Sequence, residues 1–236
     1  NIQPVPNGCA TLSTRTEMQL SARLEAVASC VKPGRIIADI GTDHAYLPCA
    51  LIERGVAVKA YACDIAPGPL KRAQNTIAQA GLQRQIIPIL TPGLQDVPAE
   101  VQTVIIAGMG WISAREILEQ AEERLADLDQ IIVQVNREVS SLRRWIMDHG
   151  FQIQDEKIVH DRHFYQIVVF SKASRHVRYS ETELDFGVFL TRRRDETFVA
   201  YCRFQRDKLK RIQQQVTSSE RRRWLQERIE QFEQFL

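Results

Sequence analysis

No stretch of this 236-residue sequence comes near the roughly 20 consecutive apolar residues that a membrane-spanning helix needs, so no membrane role is expected. A secretory leader pattern is also missing, although the sequence opens on Asn1 rather than Met. Cys9, Cys30, Cys49, Cys63 and Cys202 are odd in number, widely spread and without a C-x-x-C pair. That argues against both a disulfide framework and a zinc site; no metal is expected, and a reducing cytoplasm is the natural setting. Net charge is small, at +2. With 44% hydrophobic and 25% charged residues the composition is that of an ordinary soluble protein. Its length suits one α/β domain of about 150 residues plus a smaller unit.

The charge is unevenly placed. Residues 1–170 carry 16 Lys/Arg against 19 Asp/Glu, whereas residues 171–236 carry 15 against 10. The basic surplus therefore lies at the carboxyl end, either as a solvated helix face or as the seat of an acidic partner.

Residues 1–13 show no periodicity and are expected to form a flexible arm. Thr14-x-x-Glu17 has capping-box spacing, and Leu20, Leu24, Val27 and Val31 follow at helical intervals, predicting a helix over 15–31. Strand 35–40, helix 45–54 and strand 56–63 make a βαβ unit. Helix 69–80 follows, then strands 85–90 and 101–106, helix 113–125 with a capping box in Ser113-x-x-Glu116 and a staple of Ile112 on Ile117, strand 130–135 and helix 138–149. Strands 151–159 and 163–170 are joined by His160-Asp161-Arg162, too short for a crossover, and must be antiparallel. The expected fold is α/β, Rossmann-like, with a seven-stranded, mostly parallel sheet over 14–171 and a helical, coiled-coil-like domain over 172–236.

Ligands of open α/β sheets lie beyond the carboxyl ends of the strands. Asp39 and Gly41 stand there after the first strand. Asp64 ends the second strand, near the offset at which an acidic group meets ribose hydroxyls; the other reading is an N-cap for the next helix. Gly108 and Gly110 let a main chain pass under a flat ligand, while Met109 and Trp111 offer soft and aromatic surface. Asn136 presents an amide to a base edge or caps helix 138–149.

Asp39-Ile-Gly-Thr-Asp-His-Ala-Tyr-Leu-Pro48, Ile106-Ala-Gly-Met-Gly110, Gln134-x-Asn136, Asp148-His-Gly-Phe151 and Glu183-Leu-Asp-Phe-Gly-Val-Phe-Leu190 occur in one order. In that order they resemble the bacterial tRNA (adenine-22-N1)-methyltransferases, the TrmK family, from about Leu20 to the end. The resemblance implies S-adenosylmethionine as methyl donor, a D-stem adenine of tRNA as substrate, a Rossmann-like catalytic domain, and a helical domain that helps hold tRNA. With the family in hand, Arg23, Ile65, Gly93 and Ala107 complete the cofactor set of Asp39, Gly41, Asp64, Gly108 and Met109. A monomer acting on tRNA, with neither membrane nor metal, is the expected state.

Three positions depart from the family pattern: Trp111 in place of a second Gly, Val135 in place of Pro, and Thr91-Pro92-Gly93-Leu94 in place of Gly-Asp-Gly-Leu. Pro92 has no polar group for the adenine ring, leaving Gln95 or Asp96 to supply one. Trp111 would narrow the mouth of the substrate pocket. Two other readings stay open: the same cofactor with another RNA nucleotide or a small molecule, and an RNA-binding protein whose cofactor site has decayed.

N1 of adenine carries an in-plane lone pair, so methyl transfer needs alignment, desolvation and negative potential rather than a strong base. Asp43 is the carboxylate best placed for that, with His44 and Tyr46 bonding or stacking on the base; helix-start packing is the other reading of both. In the tail, helix 195–216 has Val199, Cys202, Leu209, Ile212 and Val216 on one stripe. A last helix, capped by Thr217, carries Leu225, Ile229, Phe232 and Leu236. Arg192, Arg193, Arg194, Arg221, Arg222 and Arg223 are candidates for phosphate contacts, or else solvated.

Overall fold

The computed structural model describes residues 18–236. The arm expected at 1–13 and the Thr14-x-x-Glu17 box lie outside them. Helix α1, Ala22–Ala28, begins where the Ser21 hydroxyl accepts from the Leu24 N–H. Residues 18–21 precede it without helical structure, so the helix expected over 15–31 is a shorter one with a different cap.

Strand β1 (Arg35–Ile40) leads into α2 (Tyr46–Glu53), and β2 (Ala57–Asp64) into α3 (Pro67–Ala80). Strands β3 (Ile86–Leu90) and β4 (Thr103–Met109) precede α4 (Trp111–Gln120), α5 (Glu122–Ala126) and β5 (Gln130–Val135). Helix α6 (Val139–Asp148) then delivers the chain to the long pair β6 (Phe151–Asp161) and β7 (His163–Lys172). The sheet has the order β3-β2-β1-β4-β5-β7-β6. Only β7 runs antiparallel, to both β5 and β6, because a turn centred on Arg162, at φ 60°, leaves no length for a crossover.

Alternation along the strands feeds two cores. Ala38, Ile40, Val104, Ile106, Ile131 and Val133 face α4, α5 and α6, while Ile37, Ile105, Ile132 and Val169 face α1, α2 and α3. The helix expected over 113–125 is two helices, broken at Ala121 and capped by the backbone of Gly110. Ser113 and Glu116 therefore lie inside α4 and form no capping box, and Ile112, 63% exposed, staples nothing.

After β7 come α7 (Glu181–Phe186), with a capping box between Ser180 and Glu183, then α8 (Leu190–Arg193), α9 (Glu196–Gln215) and α10 (Ser219–Glu233). Ser218, rather than Thr217, caps α10. Phe198, Cys202, Phe232 and Phe235 close a third core against Ile158, Phe186 and Leu190. Phe198 takes the buried place expected of Val199, and Phe235 that of Leu236, whose side chain is 43% exposed. This core sits on β6, so the terminal helices are docked on the sheet's antiparallel end. A buried ion pair fastens the joint. Arg143 Nε donates to Glu156 Oε1 at 2.6 Å, the second Glu156 oxygen accepts from the Phe189 N–H, and Arg143 also reaches the Leu184 carbonyl and Gln166.

Candidate active site

The carboxyl ends of β1 and β4 open onto two hollows that share Gly41. The first, about 320 Å³, is lined by Arg23, Asp39, Gly41, Thr42, Asp43, His44, Tyr46, Ala107 and Gly108. The second, about 360 Å³, is lined by Ile40, Gly41, Ile65, Thr91, Pro92, Met109, Ser113, Glu116, Ile117 and Gln120. Gly41 adopts φ 77°, and a Cβ there would stand 3.0 Å from Met109 Cε; the saddle between the hollows exists only because no side chain fills it.

The first hollow is the polar one. Burial lifts the Asp39 carboxyl to about 6, and the nearby Asp64 pushes the same way; the Thr42 hydroxyl, donating at 2.7 Å, and the Arg23 guanidinium oppose the rise. Arg23 is held from behind: Nη1 donates to Gln134 Oε1 at 2.8 Å, and its backbone N–H to Asp161. Gln134 in turn donates to Asn136 Oδ1, and Asn136 Nδ2 to the Gly108 carbonyl at 3.0 Å. Residues of β5 thus brace the floor of a crevice set between β1 and β4.

The loop from β1 to α2 places Asp43 and Ala45 in the left-handed region, at φ 50° and 56°. Such strain is worth roughly 1–2 kcal/mol at the alanine and persists only where surroundings impose it. Here the Asp43 N–H donates to Asp64 Oδ2 at 3.2 Å and the Ala45 N–H to the Thr42 carbonyl. The loop turns the Asp43 carboxylate outward to Arg72, with His44 Nε2 3.6 Å from its other oxygen. His44 and Tyr46 stack, rings parallel within 5° and 5.0 Å apart.

A family model of tRNA (adenine(22)-N(1))-methyltransferase matches residues 37–234. The chain belongs to this family, TrmK. The tRNA (adenine(22)-N(1))-methyltransferase of Bacillus subtilis (strain 168) is 31% identical over 189 residues, 78% of this chain and 79% of that one. Streptococcus pneumoniae Sp1610, solved with S-adenosyl-L-methionine, superposes with a TM-score of 0.84 at 34% identity, over 92% of this chain and 100% of that one. M. capricolum TrmK, solved with S-adenosyl-homocysteine, does so with a TM-score of 0.80 at 30% identity, over 92% and 97%.

Within this TrmK crevice the structure gathers Arg23, Asp39, Gly41, Asp43, His44, Tyr46, Ala107 and Gly108 on one side, and Ile65 and Met109 on the other. Asp64, 8% exposed, is outside both linings, its oxygens accepting from the Asp43 and Ala66 N–H groups. It is not the N-cap of α3, which is Ala66. Gly93 and Gly110 lie outside both linings, the latter as the backbone cap of α4. Trp111 does not narrow the mouth: as the first residue of α4 it is turned into the core, 8% exposed. Asn136 caps no helix; Glu138 holds that place. Gln95 is outside both linings and donates to Gln120, which lines the second hollow.

Four of the six expected phosphate contacts have partners within the protein. Arg192 pairs with Glu183, Arg193 with Asp155, and Arg194 bonds the Thr191 carbonyl. Arg222 likewise bonds the Val216 carbonyl. Sequence reading missed Arg72, Thr42 and the α4 side chains Ser113, Glu116 and Gln120. The last had a signal: positions 113, 116, 117 and 120 share one helix face.

Proposed function

We propose that this chain transfers the methyl group of S-adenosylmethionine to N1 of adenine 22 in tRNA, working as a cytoplasmic monomer without a metal. The observation that carries the reading is the crevice divided over Gly41, polar on one side and largely apolar on the other. Its two halves match the two ends of the donor. Arg23 and the ionised Asp39 suit a zwitterionic amino acid, while Ile65, Pro92, Met109 and Ile117 suit a flat base. Ser113, Glu116 and Gln120 offer that base the polar partners which Pro92 does not. Each oxygen of Asp64 has accepted one backbone N–H and keeps a lone pair for a ribose hydroxyl.

When bound, the donor supplies an electrophilic methyl on sulfur, and the N1 lone pair takes it up as the sulfur–carbon bond breaks. The base becomes a cation and no proton has to leave first. The chain's task is therefore to align, dry and electrostatically favour. Asp43 supplies negative potential at the mouth of the polar hollow, and the stacked His44 and Tyr46 form a platform for the adenine. N1 lies on the Watson–Crick edge, so the nucleotide must leave its stack to reach them.

The test pairs two measurements on the intact chain. Calorimetry with S-adenosylmethionine should give saturable heat, and unmodified tRNA incubated with it should yield 1-methyladenosine on digestion. Heat without that nucleoside would move the activity to another substrate, and no heat would remove the cofactor.

A further inference from the structure

A concave groove of about 540 Å³ runs between the β6–β7 turn and α9. Arg137, Arg162 and Lys208 line it, and among the described residues none of the three has a side-chain hydrogen bond or ion pair. Two neighbouring carboxylates are engaged elsewhere: Asp161 accepts from the Arg23 N–H, and Asp207 pairs with Arg206. Among the described residues, no acidic one lines the groove. Its wall carries Phe204, 49% exposed, tilted at 5.6 Å on Phe164. An exposed aromatic face among unpaired cations is costly to keep in water and suits a polyanion with flat bases. The groove also connects with the chemistry: it shares Asn136, which bonds the Gly108 carbonyl on the crevice floor. Tyr165 extends the link, since it lines the groove and lies 5.7 Å beneath the Arg23 guanidinium.

We propose that this groove holds the tRNA strand beside the target nucleotide, with Arg137, Arg162 and Lys208 on phosphates and Phe204 stacked on a base. The proposal rests on the methyltransferase reading above and moves the RNA path away from the expected arginines of α8 and α10. Arg192, Arg193, Arg194 and Arg222 are already spent on partners within the protein; among the described residues Arg221 and Arg223 are as free as the groove's cations, but they stand outside the groove that adjoins the crevice.

The test is the triple variant Arg137→Gln, Arg162→Asn and Lys208→Gln. Asn suits the left-handed backbone at position 162, and all three side chains are exposed, so the fold is expected to survive; an unchanged dissociation constant for S-adenosylmethionine verifies this. KM for tRNA should rise about tenfold, and the slope of log affinity against log salt should shrink by about two to three, as for three lost phosphate contacts. Phe204→Ala alone should weaken tRNA binding about fivefold or more. Unchanged KM and slope in the triple variant, with 1-methyladenosine still formed by the parent chain, would overturn the groove and leave the activity standing. The groove also falls if the loss appears only in Arg221→Gln with Arg223→Gln. No methylation and no tRNA binding by the parent chain would overturn both.

Discussion

Burial lifts the Asp39 carboxyl from 3.8 to about 6, so the folded chain binds its proton more tightly than the unfolded chain. Stability from this group is greatest below pH 4, falls as pH rises through 4 to 6, and above about 6 the full cost of a buried charge is present. Asp39→Asn removes that cost while keeping an oxygen for the Thr42 hydroxyl. The apoprotein should gain about 1–3 kcal/mol at pH 7.5 by chemical denaturation, with no gain at pH 4. The same change should weaken S-adenosylmethionine binding about tenfold or more at pH 7.5, because a charge-assisted bond to the ammonium is lost. Unchanged stability and affinity would remove Asp39 from both roles. At Asp43 the expected split is the reverse: Asp43→Asn suits the left-handed backbone and should lower kcat by about 10²-fold with cofactor affinity retained. Equal loss of both would make Asp43 a cofactor ligand.

Boundaries of the elements show where local pattern wins and where it does not. β1 and β5 fall at the residues their apolar runs mark, 35–40 and 130–135, because a strand buried on both faces announces itself by composition. Helix α4 does not, since it begins at Trp111, two residues before the Ser that looks like a cap. That shift turns Trp111 into the core and Ser113, Glu116 and Gln120 to the crevice, a change in function from a small change in register. The buried Arg143–Glu156 pair was invisible for a different reason: thirteen residues apart, each reads alone as a surface charge. Removing one partner strands the other. Arg143→Met should cost about 3–5 kcal/mol in urea denaturation, and Arg143→Met with Glu156→Leu should recover part of it. A single variant as stable as the parent would show that the pair does not fasten α7 and α8 to the sheet.

Across the molecule, the sheet brings β1, β4 and β5 side by side, so three loops distant in sequence meet at one edge. Their meeting was legible from the βαβ order and the glycines, as was the antiparallel end from the three-residue link at His160-Asp161-Arg162. What sequence order could not say is which cations remain without partners, because that depends on carboxylates brought in from elsewhere. The arginine runs drew the eye to α8 and α10, and folding gave several of those side chains partners. It left Arg137, Arg162 and Lys208 together instead, from three separate segments.

Position decides between an adenine-22 methyltransferase and any other user of the same donor. A tRNA transcript incubated with the chain and methyl-labelled S-adenosylmethionine, then mapped by nuclease digestion and mass spectrometry, should carry a single methyl at N1 of adenine 22. A transcript with guanosine there should carry none. Label elsewhere, or equal label in both transcripts, would contradict the account.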